Sequence, residues 1–308
     1  MTGIGAKVAF GSRLLAALGA RGSICVGIDP HRTLLESWGL PVDVDGLARF
    51  ADICVRSFGT EAAVVKPQSA FFEVFGSAGV AVLETTIAAL RESGALVVLD
   101  VKRGDIGSTM AAYADAYLDP AAPIAADAVT LSPYLGVGSL QPAFDAIAAH
   151  GTGAFVLALT SNPEGAQVQR AIGADGRSVA QTVVDELGRR NDGAVPLGSL
   201  GVVVGATIGD AGLDFGSLNG PFLVPGIGAQ GGTADDVRRI FGDARAHVVP
   251  SVSRDVLRAG PDVAALAGMI VLGQGLTPRT ATAIVLVVAA SAGTTLQARA
   301  GKPVAVDV

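Results

Sequence analysis

The sequence predicts one domain built as a (β/α)8 (TIM) barrel, and three observations lead there. Eight short aliphatic runs recur along the 308 residues with helix-patterned segments between them, the count that closes such a barrel. The runs are continuous stretches of Val, Ile and Leu rather than alternating ones, which marks strands buried on both faces, as in a parallel sheet. Nearly every run ends in a polar residue, and the active sites of these barrels gather at the C-terminal ends of the strands. A doubly wound open sheet is the other architecture that the same alternation allows.

Taken in order, the chain opens with an N-terminal helix at about residues 10–20, where Arg13 interrupts an apolar stretch too brief for the core of a signal peptide. Strand runs follow at SICVGID (23–29), AAVVKP (62–67), ALVVLDVK (95–102) and DAVTLSP (127–133). GAFVLALTS (153–161), LGVVVGAT (200–207), PFLVPGIG (221–228) and AHVVPSVSR (246–254) complete the set. Helical periodicity is visible in VDGLARFADICVRSF, VAVLETTIAALRES, SLQPAFDAIAAH and SVAQTVVDELGRR. Residues 162–176 read as a long loop placed to cover a site. Residues 208–220 are rich in Gly and Asp and short of helical pattern, so that βα unit is expected to be degenerate. The segment from about 262 to 308 is atypically apolar, but Gln274, Pro278 and Arg279 divide it into stretches shorter than the ~20 residues of a membrane span. A packed terminal helix is the expectation, within a single domain over 1–308 and with no membrane partner.

Composition removes several function classes. A formal charge of −6 leaves no basic footprint for nucleic acid or an anionic membrane, so any anionic ligand must be held by a local site. Two cysteines, Cys25 and Cys54, make no disulfide framework and no metal-ligand spacing, which suits a reducing cytoplasm. His31, His150 and His247 show neither metal-binding spacing nor the makings of a His-based triad, so no metal is expected. There is no Walker A loop and no strand-linked Gly-x-Gly-x-x-Gly, so no nucleotide cofactor is indicated. Lysine occurs only at positions 7, 66, 102 and 302, while the other 18 basic residues are Arg. Lys66 and Lys102 each close an aliphatic strand, where a compact, titratable ammonium is not replaceable by a guanidinium.

The strand ends, read in order, offer Asp29, Lys66, Asp100 with Lys102, Ser132, Ser161, Thr207, the PGIGAQGG turn (225–232), and Ser253 with Arg254. Each has a plainer reading. Asp29 precedes Pro30 and would open a turn, Ser132 and Ser161 precede Pro and Asn-Pro and are turn formers, and Gly supplies tight turns anywhere. Their convergence at one end is the functional signal, because a barrel core requires none of them. The Gly-rich turn follows the seventh run and Arg254 ends the eighth, the usual place for a phosphate site of backbone N–H groups and a guanidinium.

In VVLDVKRGDIGST (97–109), strand alternation aims Asp100 and Lys102 to one face. Lys66, Asp100, Lys102 and Asp105 alternate in sign and would keep one another ionised in a partly buried network. A lysine held protonated can act as an acid toward a carbanion, while a neighbouring carboxylate repels a substrate carboxylate. Those two roles together suggest decarboxylation without a cofactor.

DVKRGDI with Thr109 fits the Asp-x-Lys-x-x-Asp-Ile-x-x-Thr signature, and on it the chain resembles the orotidine 5′-phosphate decarboxylase family. CVGIDP, VVKPQSAFFE, SPYLG, LTSNPEG, VVVGAT, VPGIGAQGG and SVSR resemble its longer bacterial, mycobacterial-type branch, from about residue 10 to 260. The resemblance implies a homodimeric barrel, without metal or cofactor, that converts orotidine 5′-monophosphate to uridine 5′-monophosphate and CO2. It implies that Lys102 protonates C6, Asp100 sits against the departing carboxylate, and Lys66 completes the chain and touches the ribose. Asp29 would bind a ribose hydroxyl, while Asp105 and Thr109 would reach into the partner subunit's site. Ser161, supported by Ser132, would meet the pyrimidine edge, and Gln230 would bridge base and phosphate. Arg254 and Ser253, with the loop carrying Pro225, Gly228 and Gly231, would grip the phosphate. The apolar sequence after about residue 262 departs from the family's amphipathic, charged final helix.

Overall fold

In the computed structural model, which describes residues 7–228 and 231–272, eight parallel strands close into a barrel in chain order. They are β1 (Cys25–Ile28), β2 (Val64–Pro67), β3 (Leu96–Arg103), β4 (Ala128–Leu131), β5 (Gly153–Leu159), β6 (Leu200–Val204), β7 (Phe222–Pro225) and β8 (Val248–Val252). Each falls on one of the eight aliphatic runs, and the closed pairing of β1 with β8 excludes the open sheet.

Helix α1 (Phe10–Arg21) precedes the barrel. After β1 come α2 (Arg32–Ser37) and α3 (Val44–Phe58), and after β2 come α4 (Ala70–Glu73) and α5 (Gly76–Glu92). Next, α6 (Gly107–Leu118) follows β3, α7 (Gln141–His150) follows β4, and α8 (Ala166–Gln169) with α9 (Val179–Arg190) follow β5. Finally α10 (Ala234–Phe241) follows β7, with α11 (Arg254–Leu257) and α12 (Val263–Leu272) after β8. Local chemistry sets these boundaries. Asp43 caps α3 by accepting the Gly46 N–H at 2.9 Å, and Thr233 and Asp236 form a capping box on α10. On α3 the buried Leu47, Phe50, Ala51, Cys54 and Phe58 recur at helical spacing and turn one face to the barrel.

Two layers of core follow from strand alternation. Cys25, Val64, Val98, Ala128, Phe155, Val203, Leu223 and Val249 point inward and fill the barrel, while Val26, Val65, Val97, Leu99 and Val129 point outward under the helices. Helix α1 closes the N-terminal end: Phe10 meets Phe155 edge-on at 6.1 Å, with Leu14 beside it. Gly153 is what admits that ring, since a Cβ there would stand 2.2 Å from Phe10. Arg13 then ties α1 down, donating to the Asp127 carboxylate and to the Gly151 carbonyl at 3.0 Å.

Among the described residues no helix follows β6. Residues 208–220 run as turns and coil, as their Gly and Asp content anticipates, and guanidinium groups take the place of helix packing. Arg170 donates to the carbonyls of Ile208, Asp210 and Ala211, and Arg239 donates to Gly209 at 2.7 Å. Leu266 and Ile270 of α12 are buried. The remainder of the apolar segment, 273–308, lies outside the described residues. Among the described residues, no helix is long and apolar enough to cross a membrane.

Candidate active site

The inward alternation that fills the barrel with aliphatic side chains changes character one layer above Val64, Val98 and Ala128. The next inward positions are Lys66, Asp100 and Thr130, all buried. They line a cavity of ≈ 280 Å³ at the C-terminal mouth, together with Asp29, Lys102, Ser161, Pro225, Ser253 and Arg254.

One carboxylate organises the floor of this cavity. Asp100 Oδ2 accepts from Lys66 Nζ at 3.0 Å, and Oδ1 accepts from Lys102 Nζ at 2.6 Å and from the Thr130 hydroxyl at 2.8 Å. Burial favours the neutral acid, but Lys66 and then Lys102 outweigh it and bring the Asp100 pKa from 3.8 down to about 2. Burial likewise favours a neutral Lys66, yet Asp100 and Asp29 together raise its pKa above the ordinary lysine value. Both groups are therefore charged at neutral pH. Lys66 is enclosed, whereas 47% of the Lys102 side chain is accessible, on the cavity side. Asp29 Oδ1 is buried and has no hydrogen-bond partner among the described residues. A buried acceptor left unmatched in a cavity wall is suited to a ligand hydroxyl. Cys25, one layer below, has its thiol pushed up to about 12 by burial and is inert at neutral pH.

Strand alternation is not the whole reason Asp100 and Lys102 meet. The β3–β4 ladder shifts register between Leu99 and Arg103, and Lys102 adopts a left-handed backbone with φ 46°. Asp100 stays inward by alternation, while Lys102 returns to the same carboxylate through this kink.

Several expected residues lie elsewhere. Asp105 is not part of the charged network within the chain, and neither it nor Thr109 lines the cavity; Asp105 Oδ1 accepts the Ile106 N–H, and Thr109 is exposed on α6. The fourfold alternation of charges therefore reduces here to Lys66, Asp100 and Lys102. Ser132 does not line the cavity either: its N–H donates to the Arg103 carbonyl at 2.7 Å, and β4 offers Thr130 to the cavity instead. Thr207 is likewise not a lining residue. Within the Gly-rich turn, Pro225, Gly226 and Ile227 reach the cavity, while Gly228 (φ 75°) and Gly231 (φ 90°) shape the loop that folds back through Gly228 N–H to Gly232 O at 2.9 Å. Gln230 lies outside the described residues.

Thr130, Gln68, Thr160 and Ser251 line the cavity without having stood out in the sequence. Thr130 and Ser251 carried a signal, being polar residues two positions beyond the inward Ala128 and Val249. Gln68 accepts from Lys66 at 3.4 Å, and Thr160 is held through its N–H by Gln169 at 2.8 Å. Gln68 shares the inward parity of Lys66, two residues on, whereas the Thr160–Gln169 contact does not follow from pattern alone.

A closed (β/α)8 barrel whose strand ends carry two lysines around one ionised carboxylate, facing a cavity with a glycine-rich rim, has the architecture of a (β/α)8-barrel enzyme. Comparison with known proteins narrows the class. Residues 22–269 match the Orotidine 5'-phosphate decarboxylase / HUMPS family. A Salinispora arenicola protein named orotidine 5'-phosphate decarboxylase is 65% identical over 257 residues, spanning 83% of this chain and 92% of that one. A Streptomyces coelicolor protein of the same name is 60% identical, spanning 83% and 92%. A crystal structure from Streptomyces avermitilis superposes with a TM-score of 0.83 at 57% identity, covering 85% of this chain and 92% of that one. The chain belongs to the orotidine 5'-phosphate decarboxylase / HUMPS family.

Proposed function

We propose that this chain converts orotidine 5′-monophosphate to uridine 5′-monophosphate and CO2, as a carboxy-lyase of pyrimidine biosynthesis. The observation that carries the reading is the Lys66–Asp100–Lys102 network, charged at neutral pH and open to the cavity through Lys102. The bond between C6 and the carboxylate breaks, its electron pair stays on C6, and CO2 leaves. A proton from Lys102 Nζ forms the new C–H bond, and the neutral amine is reprotonated from solvent. The ionised Asp100 faces the substrate carboxylate and disfavours the ground state, while the preformed ammonium stabilises the charge that develops. No cofactor takes part in this scheme.

The remaining residues hold the nucleotide. Lys66 and the unmatched Asp29 oxygen receive the ribose, with Ser161 at the pyrimidine edge. Arg254, Ser253 and the Gly-rich turn carrying Pro225, Gly228, Gln230 and Gly231 take the phosphate, whose distant binding energy organises the charged residues. Ser132 acts behind this wall.

The enzyme works as a homodimer in which Asp105 and Thr109 complete the partner's site. Two facts support this. Both residues are outside their own cavity, and they sit beside exposed apolar side chains: Ile106 is 62% exposed, and Tyr134 and Leu135 are 77% and 52% exposed on the adjoining β4 loop. The loops adjoin closely enough that a Cβ on Gly104 would stand 2.2 Å from the Ser132 carbonyl. Cys25 and Cys54 are buried free thiols, which suits a cytoplasmic enzyme.

A spectrophotometric assay of orotidine 5′-monophosphate loss, with and without chelator, tests the reading. Turnover that withstands chelator is expected. Absence of turnover, or turnover abolished by chelator, points instead to a metal-dependent enzyme of the same barrel group acting on a sugar phosphate, or to a non-catalytic barrel that binds phosphate ligands.

A further inference from the structure

We propose that Thr130 is a positioning residue that sets the backbone of Lys102 and the rotation of Asp100, and so aims the proton donor. The proposal rests on the decarboxylase reading above and extends it to a residue outside the family signature.

The argument begins with an unpaired stretch of strand. Ladder partners are Leu99 with Val129 and then Arg103 with Leu131, so β3 advances 103 − 99 = 4 residues while β4 advances 131 − 129 = 2. Two residues of β3 are therefore surplus to the ladder, and Lys102 among them takes a left-handed φ of 46°, a region unfavourable for any residue with a Cβ. Its N–H has lost the carbonyl that a regular ladder would provide. The Thr130 hydroxyl replaces that acceptor, at 2.9 Å from Lys102 N.

A hydroxyl has a single proton to donate. Lys102 N–H occupies it as an acceptor, and its proton goes to Asp100 Oδ1 at 2.8 Å. Oδ1 is also the oxygen that receives Lys102 Nζ, at 2.6 Å, while Oδ2 receives Lys66. One buried side chain thus holds both ends of the donor, its backbone N–H directly and its ammonium through the carboxylate. Thr130 lines the cavity, but both hydrogen bonds of its hydroxyl go to Lys102 and Asp100, so it acts on the donor through these two residues.

Because Thr130 orients the donor rather than binding the nucleotide's distal groups, removing its hydroxyl should act on kcat and spare KM. For Thr130→Val, which keeps the branched shape, a fall in kcat of roughly 10- to 100-fold is expected, with KM and the affinity for uridine 5′-monophosphate nearly unchanged. Thr130→Ser, which keeps the hydroxyl, should recover most of kcat. If Thr130→Val does not fold, Thr130→Ala against Thr130→Ser isolates the same hydroxyl. Equal kcat in the hydroxyl-bearing and hydroxyl-lacking variants, or a loss confined to KM, overturns the proposal. The unsubstituted enzyme is assayed alongside. Its inactivity would remove the decarboxylase reading and this one together, whereas an active parent with an equally active Thr130→Val removes only this one.

Discussion

The two ends of the barrel each hold a buried carboxylate between two cations, and they do different things with it. At the N-terminal end Asp127, whose side chain is 8% exposed, accepts from Arg13 and from the Val97 N–H at 3.0 Å, with Arg91 at 3.9 Å. At the C-terminal end Asp100, 9% exposed, accepts from Lys66, Lys102 and Thr130. Burial is equal, so burial does not separate structure from chemistry. The cations do: Arg13 bonds a backbone carbonyl as well as Asp127, spending its fork on holding α1 to the barrel. Lys102 bonds the carboxylate and presents half its side chain to a cavity that also contains an unmatched Asp29 oxygen. Arg13, Arg91 and Asp127 line a cleft of their own, so a cleft alone does not separate the ends: Arg13 also bonds the backbone, whereas Lys102 presents a partly exposed ammonium beside an unmatched acceptor.

Substitutions at the two ends should therefore separate activity from stability. The largest expected effect is at the mouth: Lys102→Ala should lower kcat by at least about 1,000-fold while thermal unfolding and solution mass stay close to those of the parent. Normal turnover in that variant removes its role as donor. Asp100→Asn leaves Lys66 buried without its nearest counter-charge, and a loss of roughly 3–5 kcal/mol in denaturant unfolding is expected along with loss of activity. Arg13→Ala is the mirror experiment. It should cost about 2 kcal/mol in the same unfolding assay, because an Asp127 oxygen loses its donor, and leave kcat within about twofold. A catalytic defect there would erase the distinction between the ends.

Mixing Asp105→Ala subunits with Lys102→Ala subunits sharpens the claim that the mouth is shared. About a quarter of parental activity should return after complete exchange, since half the dimers are mixed and one of their two sites is intact. No recovery after exchange is verified by mass would confine the site to one chain.

The smallest effect concerns pH. Asp100 is depressed from 3.8 to about 2, so its contribution to stability is present above 3.8 and lost as pH falls toward 2. Lys66 is raised above 10.5, so its contribution is complete below 10.5 and is lost as pH rises through its elevated folded value. The stability gap between the parent and Asp100→Asn should close as pH falls below 3.8 toward 2, as read from denaturant midpoints. A gap already closing at pH 5 or above would mean that the Asp100 carboxyl is not held below its ordinary value.

Much of this molecule could be read from the chain alone. Eight aliphatic runs became eight strands, and the Gly- and Asp-rich stretch at 208–220 formed no helix, because apolar periodicity and backbone propensity are local properties. Lys66, Asp100 and Lys102 stood out because charge at the end of an apolar strand is conspicuous. Ser132 shares the inward parity of Ala128 and Thr130, but β4 ends at Leu131 and the chain turns away, so Thr130 and not Ser132 lines the cavity. Thr160 was invisible because its partner Gln169 is reached across a loop, and Gln68 because it lies just past the end of β2, two residues beyond Lys66.

Periodicity and the placement of charges determined the eight strands and the candidacy of Lys66, Asp100 and Lys102, because an apolar run and the charge that ends it are local to each strand. The kink at Lys102 was decided elsewhere, by β3 and β4 falling out of register by two residues and by a hydroxyl on the second strand filling the gap. So was the absence of Asp105 and Thr109 from their own cavity. Register and closure are set by how whole strands pair, and no single segment carries that information.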